Sequence, residues 1–465
     1  MSKMQKWAIT FIVGAIIWFI PVPAGLKPQA WHLFAVFVAT IIGFILQPMP
    51  IGGVALTAIG LTGLLGILKP AEILTGFSAT VMWLIVAAFL FAKGFIVTGL
   101  GNRVAYSIMA AIGDSSLKMA YAIALSDLAV SPATPSNTAR GGGIIYPIVI
   151  SLSKAFGSEP GPSARKLGAF MMSSSFQVNC ITSAMFITAV APNSLCVMLA
   201  GKAGVNISWG TWALAAVVPG LIAIAVTPLI IYKMYPPEIK KTPEAKEIAQ
   251  KELTQMGPIK YSEKVVAGTF ILALIMWATA SITNIDATVT AIFCVSVMLI
   301  LGAIEWKDVL EEKGAWDTLM WMGSLITLAG ALDKVGFIGW FAKLIGASMA
   351  GASWMMAVVV LFAVYLYSHY AFASLSAHVT AMYAAFLAVA IAAGAPPFLA
   401  AMGLGVISAF MGCLTHYATG PAPIYFGAGY VSQGEFWKIG FVMSIVNIVC
   451  FLLIGPMWWK MVGLW

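Results

Sequence analysis

Long apolar runs alternate with short polar segments along the whole chain. Runs of roughly 17–25 apolar residues are long enough to cross a bilayer as a helix. Candidate spans lie near 7–21, 30–47, 52–68, 81–99, 116–133, 167–190, 209–232, 264–283, 286–303, 318–331, 353–371, 376–393, 396–415 and 437–457. Some are short enough to be half-spans, so the pattern predicts about 11–12 true crossings. Because a bilayer offers free backbone groups no solvent, the predicted fold class is an all-α polytopic membrane protein.

The composition agrees with a protein that lies within a membrane. Of 465 residues, 61% are hydrophobic and 9% are charged, with a mean hydropathy of +0.96, whereas a soluble domain carries about 25% charged residues. The net charge of +8 does not indicate nucleic-acid binding, since Lys and Arg fall mostly in the loops. We expect contact with membrane lipid in a bacterial inner (plasma) membrane and no nucleic-acid partner.

The cysteines and histidines do not indicate a metal site. The five cysteines lie in apolar surroundings without paired or metal-like spacing, which favours small core residues: Cys180, Cys196, Cys294, Cys413 and Cys450. No Cys, Asp or Glu stands at zinc-ligand spacing from the histidines. The sequence predicts neither a metal nor a cofactor.

A charged stretch at 232–264 divides the chain. Its mixed signs and its prolines predict a solvated cytoplasmic linker with a short amphipathic helix. It separates a first half, 1–231, from a second half, 265–465, and each half holds a similar succession of apolar segments. We interpret the two halves as repeats of one unit.

Two markers recur at nearly one spacing. Ser136 and Ser376 are 240 residues apart, and Pro192 and Pro421 are 229 apart. Gly and Pro are common in membrane helices, so one interruption alone means little. Four interruptions in matched pairs indicate an internal duplication, and interrupted segments in corresponding positions are typical of a transporter's central site.

Each half also contains a polar stretch that leads into a Trp-containing apolar segment. These stretches lie at 69–95 and 305–332. Their lengths suit an element that enters the membrane and returns. We interpret them as two re-entrant helical hairpins that enter from one side without crossing.

The segment SPATPSNTARGGG (131–143) carries an arginine in otherwise apolar surroundings. Ionisable residues inside a membrane are expensive and functional by default. Arg140 presents a planar donor fork that matches a carboxylate; the alternative is an arginine that extends its charge from a helix end to the interface. Asp127, about two to three turns earlier, could pair with Arg140, bind a proton or cap a helix, and the sequence leaves these alternatives open.

Ser136, Asn137 and Thr138 supply two hydroxyls and a carboxamide beside the same interruption. Helix N-termini offer an anion free N–H donors and the positive end of a dipole, and unwound carbonyls can hold Na⁺. An ordinary polar helix cap is the alternative interpretation. We predict that this segment forms half of a substrate site.

Three histidines fall at the interruptions of the second half. His378 occupies the region that corresponds to the first SNT segment, with Ser376 and Thr380 beside it. His369 is close in sequence, and His416 falls at the later interruption. Imidazole can carry charge near neutral pH, especially beside an anion. The cluster predicts a polar cavity, with the roles of His369 and His416 left open.

These motifs resemble the divalent-anion/sodium symporter family over nearly the whole chain. The run PSNTARGGG matches the family's first SNT signature, and AVAPNSLC and ATGPAPIYFGAGY correspond to its later TPPN-like segments. SAHVTAMYAAFLA and THYATGPAPIYFGAGY resemble the exchanger branch with the plastid 2-oxoglutarate/malate translocators and the bacterial citrate/succinate and tartrate/succinate antiporters.

The resemblance implies two inverted repeats with two re-entrant hairpins and two broken helices, a scaffold domain, a mobile transport domain, a homodimer and elevator-type alternating access. It also implies that a carboxylate anion sits between the two SNT regions. The substrate-binding residues expected from the motifs and the resemblance together are Ser136, Asn137, Thr138, Arg140, Asn193, Ser376, His378, Thr380, Thr419 and Pro421.

The chain departs from the sodium-coupled pattern at two positions. The second SNT segment reads Ser376-Ala377-His378, and Arg140 follows the first. Both changes place a cationic or potentially cationic group beside a place where Na⁺ would bind in the sodium-coupled members, and in the second half a ligand is lost as well. A fixed charge that crosses an apolar passage unpaired is costly, so we predict sodium-independent exchange of di- or tricarboxylates, with Arg140 and His378 in place of the coupling cations.

Other functions are weighed against exchange. A Na⁺- or H⁺-coupled dicarboxylate symporter is the main alternative. An intramembrane enzyme that uses Asp127 or a histidine is disfavoured, because the sequence contains no paired intramembrane carboxylates and no nucleophile–base motif. An ion channel is the remaining alternative, and saturable counterflow would exclude it.

Overall fold

The computed structural model describes residues 1–337, 339–341, 344 and 353–465. The intervening positions belong to the predicted second repeat and lie outside the described residues. The first half contains α1 Lys3–Phe19, α2 Pro28–Leu46, α3 Ile51–Leu64, α4 Pro70–Ile73, α5 Thr80–Thr98, α6 Leu100–Ile112, α7 Ser116–Val130, α8 Tyr146–Ala155, α9 Gly168–Met185, α10 Ala191–Lys202 and α11 Trp209–Met234. The middle contains α12 Glu244–Met256, α13 Tyr261–Ala278, α14 Ala280–Thr283, α15 Ala287–Ile300, α16 Trp306–Glu311 and α17 Lys313–Lys334.

The C-terminal part continues with α18 Trp354–Tyr367, α19 Leu375–His378, α20 Ala384–Ala392, α21 Pro397–Phe410, α22 Ala422–Gly427, α23 Gln433–Asn447 and α24 Gly455–Met461. The described part of the chain contains no strand. The predicted all-α class is confirmed.

Several helices are long and apolar enough to span a bilayer. Within the described ranges these are Pro28–Leu46, Thr80–Thr98, Trp209–Met234, Tyr261–Ala278, Trp354–Ala371, Leu375–Ala392 and Gln433–Met461. Shorter apolar helices are Ile51–Leu64, Ala287–Ile300 and Pro397–Cys413. The total of 11–12 crossings stays a prediction.

The structure differs from the helical hairpins predicted at 69–95 and 305–332. In each range a short helix, α4 or α16, is followed by one long helix, α5 or α17. The 19 residues of α5 make it about 28 Å long, which suffices to cross a membrane. In both of these described ranges the polar stretch therefore leads into a single long helix, and the second arm of a hairpin is not found within them.

The turn Thr75–Ser78 shows why this entry packs closely. The Gly76 N–H donates to Thr327 Oγ1 at 3.0 Å. A Cβ on Gly76 would collide with the carbonyl oxygen of Gly323 on α17. Glycine is thus the residue that lets the turn contact the α17 backbone.

Four polar breaks interrupt the helices and are named here in chain order. The first break is 131–138, the second is 186–190, the third is 368–374 and the fourth is 411–421; each contains a 3₁₀ turn. A π turn follows the first break at Ala139–Ile145 and another follows the third at Val379–Tyr383. The two π turns begin 240 residues apart, which is also the spacing of Ser136 and Ser376.

Helix α9 lies at the centre of the first half. Every one of its 18 residues is buried, and it packs against α7, α8, α11 and α21. A helix that is buried all round needs no polar face, so its Ser, Thr, Asn and Gln side chains point into the protein. These side chains are available to the buried groups around the first and second breaks.

The charged stretch 232–264 forms helix α12, which packs against α6. Arg103 on α6 reaches Glu263 at 2.7 Å at the start of α13. The predicted short helix is present in this stretch. The boundaries 1–231 and 265–465 remain a prediction.

Candidate functional site

All four breaks border one cavity of about 270 Å³. The first and second breaks supply one wall, and the third and fourth supply the other. A third side comes from the end of α2, the start of α3 and α5. The lining residues are Gln47, Ile51, Phe89, Pro135, Ser136, Asn137, Thr138, Val190, Ala191, Pro192, Ala373, Ser374, Leu375, Ser376, Thr419 and Gly420.

The two walls are in direct contact at the base of the cavity. Asn137 Nδ2 donates to Thr419 Oγ1 at 2.8 Å. A Cβ on Gly420 would collide with the hydroxyl of Thr138. At this point the two walls therefore meet through a buried hydrogen bond and a close approach that requires glycine.

The serines at the two walls act as helix caps. Ser136 Oγ accepts from the Ala139 N–H at 3.1 Å, and Ser374 Oγ accepts from the Ala377 N–H at 3.3 Å. Such caps satisfy one of the free N–H groups at a helix start. The remaining N–H groups at these starts are the donors that an anion in the cavity can use.

Arg140 is fully buried and does not line the cavity. Its Nε donates to Asp127 Oδ1 at 3.2 Å. Its Nη1 donates to the carbonyls of Thr134, at 2.9 Å, and Ala189, at 2.8 Å, and its Nη2 donates to Ser183 Oγ at 2.8 Å. The guanidinium therefore fills an oxygen cage behind the first break and joins it to the second.

Asp127 neutralises this guanidinium. Its carboxylate also accepts from Asn179 Nδ2 at 3.0 Å and from the Thr182 hydroxyl. Of the alternatives left open by the sequence, the structure shows pairing with Arg140. The expectation of an unpaired Arg140 in the empty protein is thereby wrong, because its counter-charge lies within the protein.

His378 is also buried, and it contacts a second histidine. His378 Nδ1 lies 2.9 Å from His369 Nδ1, and His378 Nε2 lies 3.2 Å from Ser368 Oγ. His369 Nε2 donates to the carbonyl of Ala418 at 2.8 Å. Neither ring lines the cavity; the pair lies behind the wall made by the third and fourth breaks.

The two halves hold equivalent carbonyls in the same way. Ala189 and Ala418 are 229 residues apart, the spacing of Pro192 and Pro421. Arg140 donates to the first carbonyl and His369 donates to the second. The sequence predicted that His378 is the counterpart of Arg140 in the second half. In the structure it is His369 that donates to the Ala418 carbonyl, and His378 contacts His369.

The other expected site residues lie away from the cavity. Asn193 is buried, and its Nδ2 donates to the carbonyls of Ser183, at 2.7 Å, and Phe186, at 2.8 Å, so it holds the second break. Thr380 lines a separate cavity of about 340 Å³, and Pro421 is the N-cap of α22.

His416 belongs to a different cluster from the histidine pair. Its Nδ1 accepts from Trp437 Nε1 at 2.9 Å, and its ring packs against Phe426. The structure thus brings together Ser136, Asn137, Thr138, Ser376 and Thr419 at the cavity.

Sequence reasoning missed the side of the cavity that comes from α2, α3 and α5. Gln47, Ile51 and Phe89 lie there. Gln47 has a φ of 49°, a left-handed conformation that is uncommon for a residue other than glycine. No local signal marks these positions, because each lies beside an ordinary apolar span.

A polar cavity built at helix breaks inside an all-helical membrane protein is the arrangement of a secondary transporter. The family model described as sodium:sulfate symporter transmembrane region matches residues 1–465. The chain belongs to this family, the divalent-anion/sodium symporters.

Curated relatives match along the full chain. A putative malate transporter of Bacillus subtilis, YflS, is 51% identical over 100% of this chain and 97% of its own. The spinach chloroplast dicarboxylate transporter 1 is 46% identical over 100% of this chain and 82% of its own. The inner membrane protein YbhI of Escherichia coli is 39% identical over 100% of this chain and 99% of its own. The protein is an integral membrane protein of the bacterial plasma membrane.

One solved structure shares the fold at low identity. The YdaH transporter of Alcanivorax borkumensis aligns with a TM-score of 0.54 and 11% identity, over 99% of this chain and 97% of that one. At this identity the likeness concerns the fold alone.

Proposed function

We propose that the protein transports carboxylate anions and binds a dicarboxylate in the central cavity. One observation carries this proposal: hydroxyl and carboxamide groups of the first, third and fourth breaks border the same space as the starts of the helices that follow the first, second and third breaks. Two facing walls of such donors suit a ligand with a carboxylate at each end.

The donors at the cavity are neutral. Among the described residues, those that line the cavity include no Lys, Arg or His. Helix α10, with 12 residues, begins at Ala191 beside the cavity, so the positive end of its dipole faces the ligand. The anion is thus recognised by hydrogen-bond donors and helix dipoles, and the buried charges act from behind the walls.

The substrate class follows from the relatives. Two of those compared are named for malate and for dicarboxylates. We propose malate, succinate, fumarate and 2-oxoglutarate as substrates, with citrate and tartrate as further candidates. Each of them presents two carboxylates to the two walls.

We further propose that transport is sodium-independent exchange, with Arg140 and His378 in place of coupling cations. The guanidinium already occupies a cage of carbonyl, hydroxyl and carboxylate oxygens, which are the ligands that a small hard cation takes. Because Arg140 is tethered, this charge is not exchanged with the solution.

The cavity donors supply the reason for exchange over net transport. Without an anion, the hydroxyls and helix-start N–H groups at the cavity must be hydrated. Moving them past an apolar surface would strip that water at a cost of about 1–3 kcal/mol for each group left unpaired. A bound dicarboxylate replaces the water, so the loaded form moves and the empty form does not.

The proposed motion is of the elevator type. The breaks would move as one body against the side of the cavity formed by Gln47, Ile51 and Phe89. From the family resemblance we also propose a homodimer built on the stationary body. Cross-linking in native membranes tests the dimer.

Counterflow in proteoliposomes tests the function. Labelled malate should enter vesicles preloaded with succinate and should not enter empty vesicles, with or without Na⁺. Asn137→Ala and Ser376→Ala, which change the cavity, should reduce uptake. Ser153→Ala is the matched control, since its buried hydroxyl bonds only to the Val149 carbonyl. Equal loss of uptake in all three variants would argue against the cavity.

One observation favours the alternative, a cation-coupled symporter. A dianion in a cavity lined by neutral residues lacks a direct counter-charge, which a co-bound Na⁺ or H⁺ would supply. Brisk uptake into empty vesicles driven by an inward Na⁺ gradient would establish this alternative and overturn exchange.

A further inference from the structure

Behind the second wall of the cavity, five polar groups form one chain of hydrogen bonds. The chain runs from the Ala418 carbonyl to His369 at 2.8 Å, to His378 at 2.9 Å, to Ser368 Oγ at 3.2 Å and to the Tyr365 carbonyl at 3.0 Å. Both ends are carbonyl oxygens, and both imidazole rings have no exposed surface.

The number of hydrogens in this chain does not match its number of bonds. Each of the four bonds needs one hydrogen, and the two carbonyls can only accept. A neutral imidazole carries one N–H, and a serine carries one O–H. His369, His378 and Ser368 therefore supply three hydrogens for four bonds.

One additional proton on the histidine pair removes this mismatch. His369 Nε2–H then donates to Ala418, and His378 Nδ1–H donates to His369 Nδ1. His378 Nε2–H donates to Ser368 Oγ, whose own hydrogen goes to the Tyr365 carbonyl. In the neutral pair one of the four bonds is left unmade, because the Ser368 hydrogen can go to His378 Nε2 or to the Tyr365 carbonyl but not to both.

The surroundings of the pair accept a cation but do not neutralise it. The Phe372 ring stacks on His378 at 4.5 Å, and the Tyr365 ring lies 4.7 Å away; ring faces of this kind attract cations. On the elements packed against the pair the titratable groups include Cys196 and Lys202 of α10, Tyr365 and Tyr367 of α18, Tyr370 of the third break, Tyr383 of the π turn and His32 of α2.

None of these groups is a carboxylate, and among the described residues neither imidazole is bonded to one. The buried guanidinium of Arg140 in the first half is already paired with Asp127. The charge of an added proton is therefore uncompensated until an anion arrives.

We propose that His369 and His378 form a proton-binding site that takes up one proton when the anion binds. Ser376 and Thr419 line the cavity, and each is within two residues of a member of the hydrogen-bond chain. An anion at this wall stabilises the proton, and by linkage the proton strengthens anion binding by the same factor. The proposal rests on the proposed function.

Calorimetry of dicarboxylate binding separates the two proposals. Malate is titrated into the purified protein in phosphate, in HEPES and in Tris, which absorb different heats when they give up a proton. Heat of binding in any buffer tests the carboxylate site. Dependence of that heat on the buffer, equivalent to about one proton per anion at some pH between about 5 and 8.5, is the result expected for the histidine pair. Binding heat that is the same in all three buffers across this range would overturn the inference and leave the carboxylate site standing.

Two variants address the mechanism through the serine. Ser368→Ala removes two of the four bonds and one of the three hydrogens, so the neutral pair then satisfies both remaining bonds; proton uptake should fall below about half while malate still binds. Ser368→Thr keeps the hydroxyl and should keep the uptake. Full uptake in Ser368→Ala would contradict the proton count.

Two further variants address the histidines. In His378→Gln the new side chain cannot take up a proton, so the buffer dependence should be abolished. His416 lies outside this chain of hydrogen bonds, so His416→Gln should preserve the dependence. Because the protein has only four histidines, ¹⁵N NMR of labelled imidazoles should resolve the pair. Malate should move the two coupled signals toward the protonated form, and unchanged signals on saturation with malate would refute the proposal.

Discussion

Removing the guanidinium of Arg140 is expected to create a site for a mobile cation. Arg140→Ala would leave the carbonyls of Thr134 and Ala189, the hydroxyl of Ser183 and the carboxylate of Asp127 around an empty volume. This oxygen set, with one negative charge, suits Na⁺. The variant therefore tests whether a fixed cation stands where a mobile one could bind.

The size of the effect follows from the burial of the pair. The side chains of Arg140 and Asp127 are 0% and 1% exposed, and breaking a buried ion pair by removing one partner costs about 3–5 kcal/mol. If Na⁺ binds the vacated cage of Arg140→Ala, a concentration ten times its Kd should return about 1.4 kcal/mol.

Thermal unfolding of the purified variant measures both the stability lost with Arg140 and the stability that Na⁺ restores. Arg140→Ala should unfold well below the wild type in choline chloride and should regain part of the difference in NaCl. Wild type should show no such sodium response. Arg103→Ala is the matched control, since Arg103 also pairs with a carboxylate, Glu263, but its pair lies away from the breaks.

A double variant separates charge balance from sodium binding. Asp127→Asn combined with Arg140→Gln removes both charges and should be less destabilised than the sum of the single variants by about 1–3 kcal/mol. It should also lose the sodium response. If Arg140→Ala is equally stable in NaCl and choline chloride, the interpretation of Arg140 as a replacement for Na⁺ is refuted.

Three further predictions concern close contacts. Gly420→Ala should abolish counterflow, because its Cβ meets the Thr138 hydroxyl, and Thr138→Ala in the same chain should restore part of the uptake; no restoration would argue against the contact. Gln47→Gly should raise the melting temperature, since it relieves a left-handed φ of 49° worth about 1 kcal/mol; a lower melting temperature would contradict this. Gly76→Ala should lower it by more than Gly60→Ala, whose Cβ meets open space.

The sequence predicted the breaks because their signals are local. Proline and glycine end a helix wherever they stand, and the hydroxyl and amide groups of Ser136, Asn137 and Thr138 are informative only beside such an end. The structure places all three at the cavity. A matching pair of signals in the second half, around Ser376 and Thr419, predicted the facing wall.

The sequence could not predict where the long charged side chains end. Arg140 directly follows residues that face the cavity, yet its acceptors come from Ala189 and Ser183, which are more than 40 residues away in the chain. A flexible side chain points toward its acceptors, and those are set by packing. Packing also decides the structure of the stretch 69–95, for which the sequence predicted a hairpin. Only the contacts of its turn with α17 distinguish that turn from the tip of a hairpin.

The two halves differ in how they hold the same carbonyl, and this difference has a consequence for transport. Arg140 is charged at every accessible pH and is balanced by Asp127, so the first wall has the same charge with or without substrate. The second wall depends on the His369–His378 pair, which is charged only when it carries the added proton. Under the proposed linkage, dicarboxylate affinity should fall as the pH rises, by up to about tenfold per pH unit in the range where one proton is taken up. His378→Gln should flatten this dependence and Arg140→Lys should not, because the first wall contributes no proton. A dependence that persists in His378→Gln would assign the proton to the substrate itself.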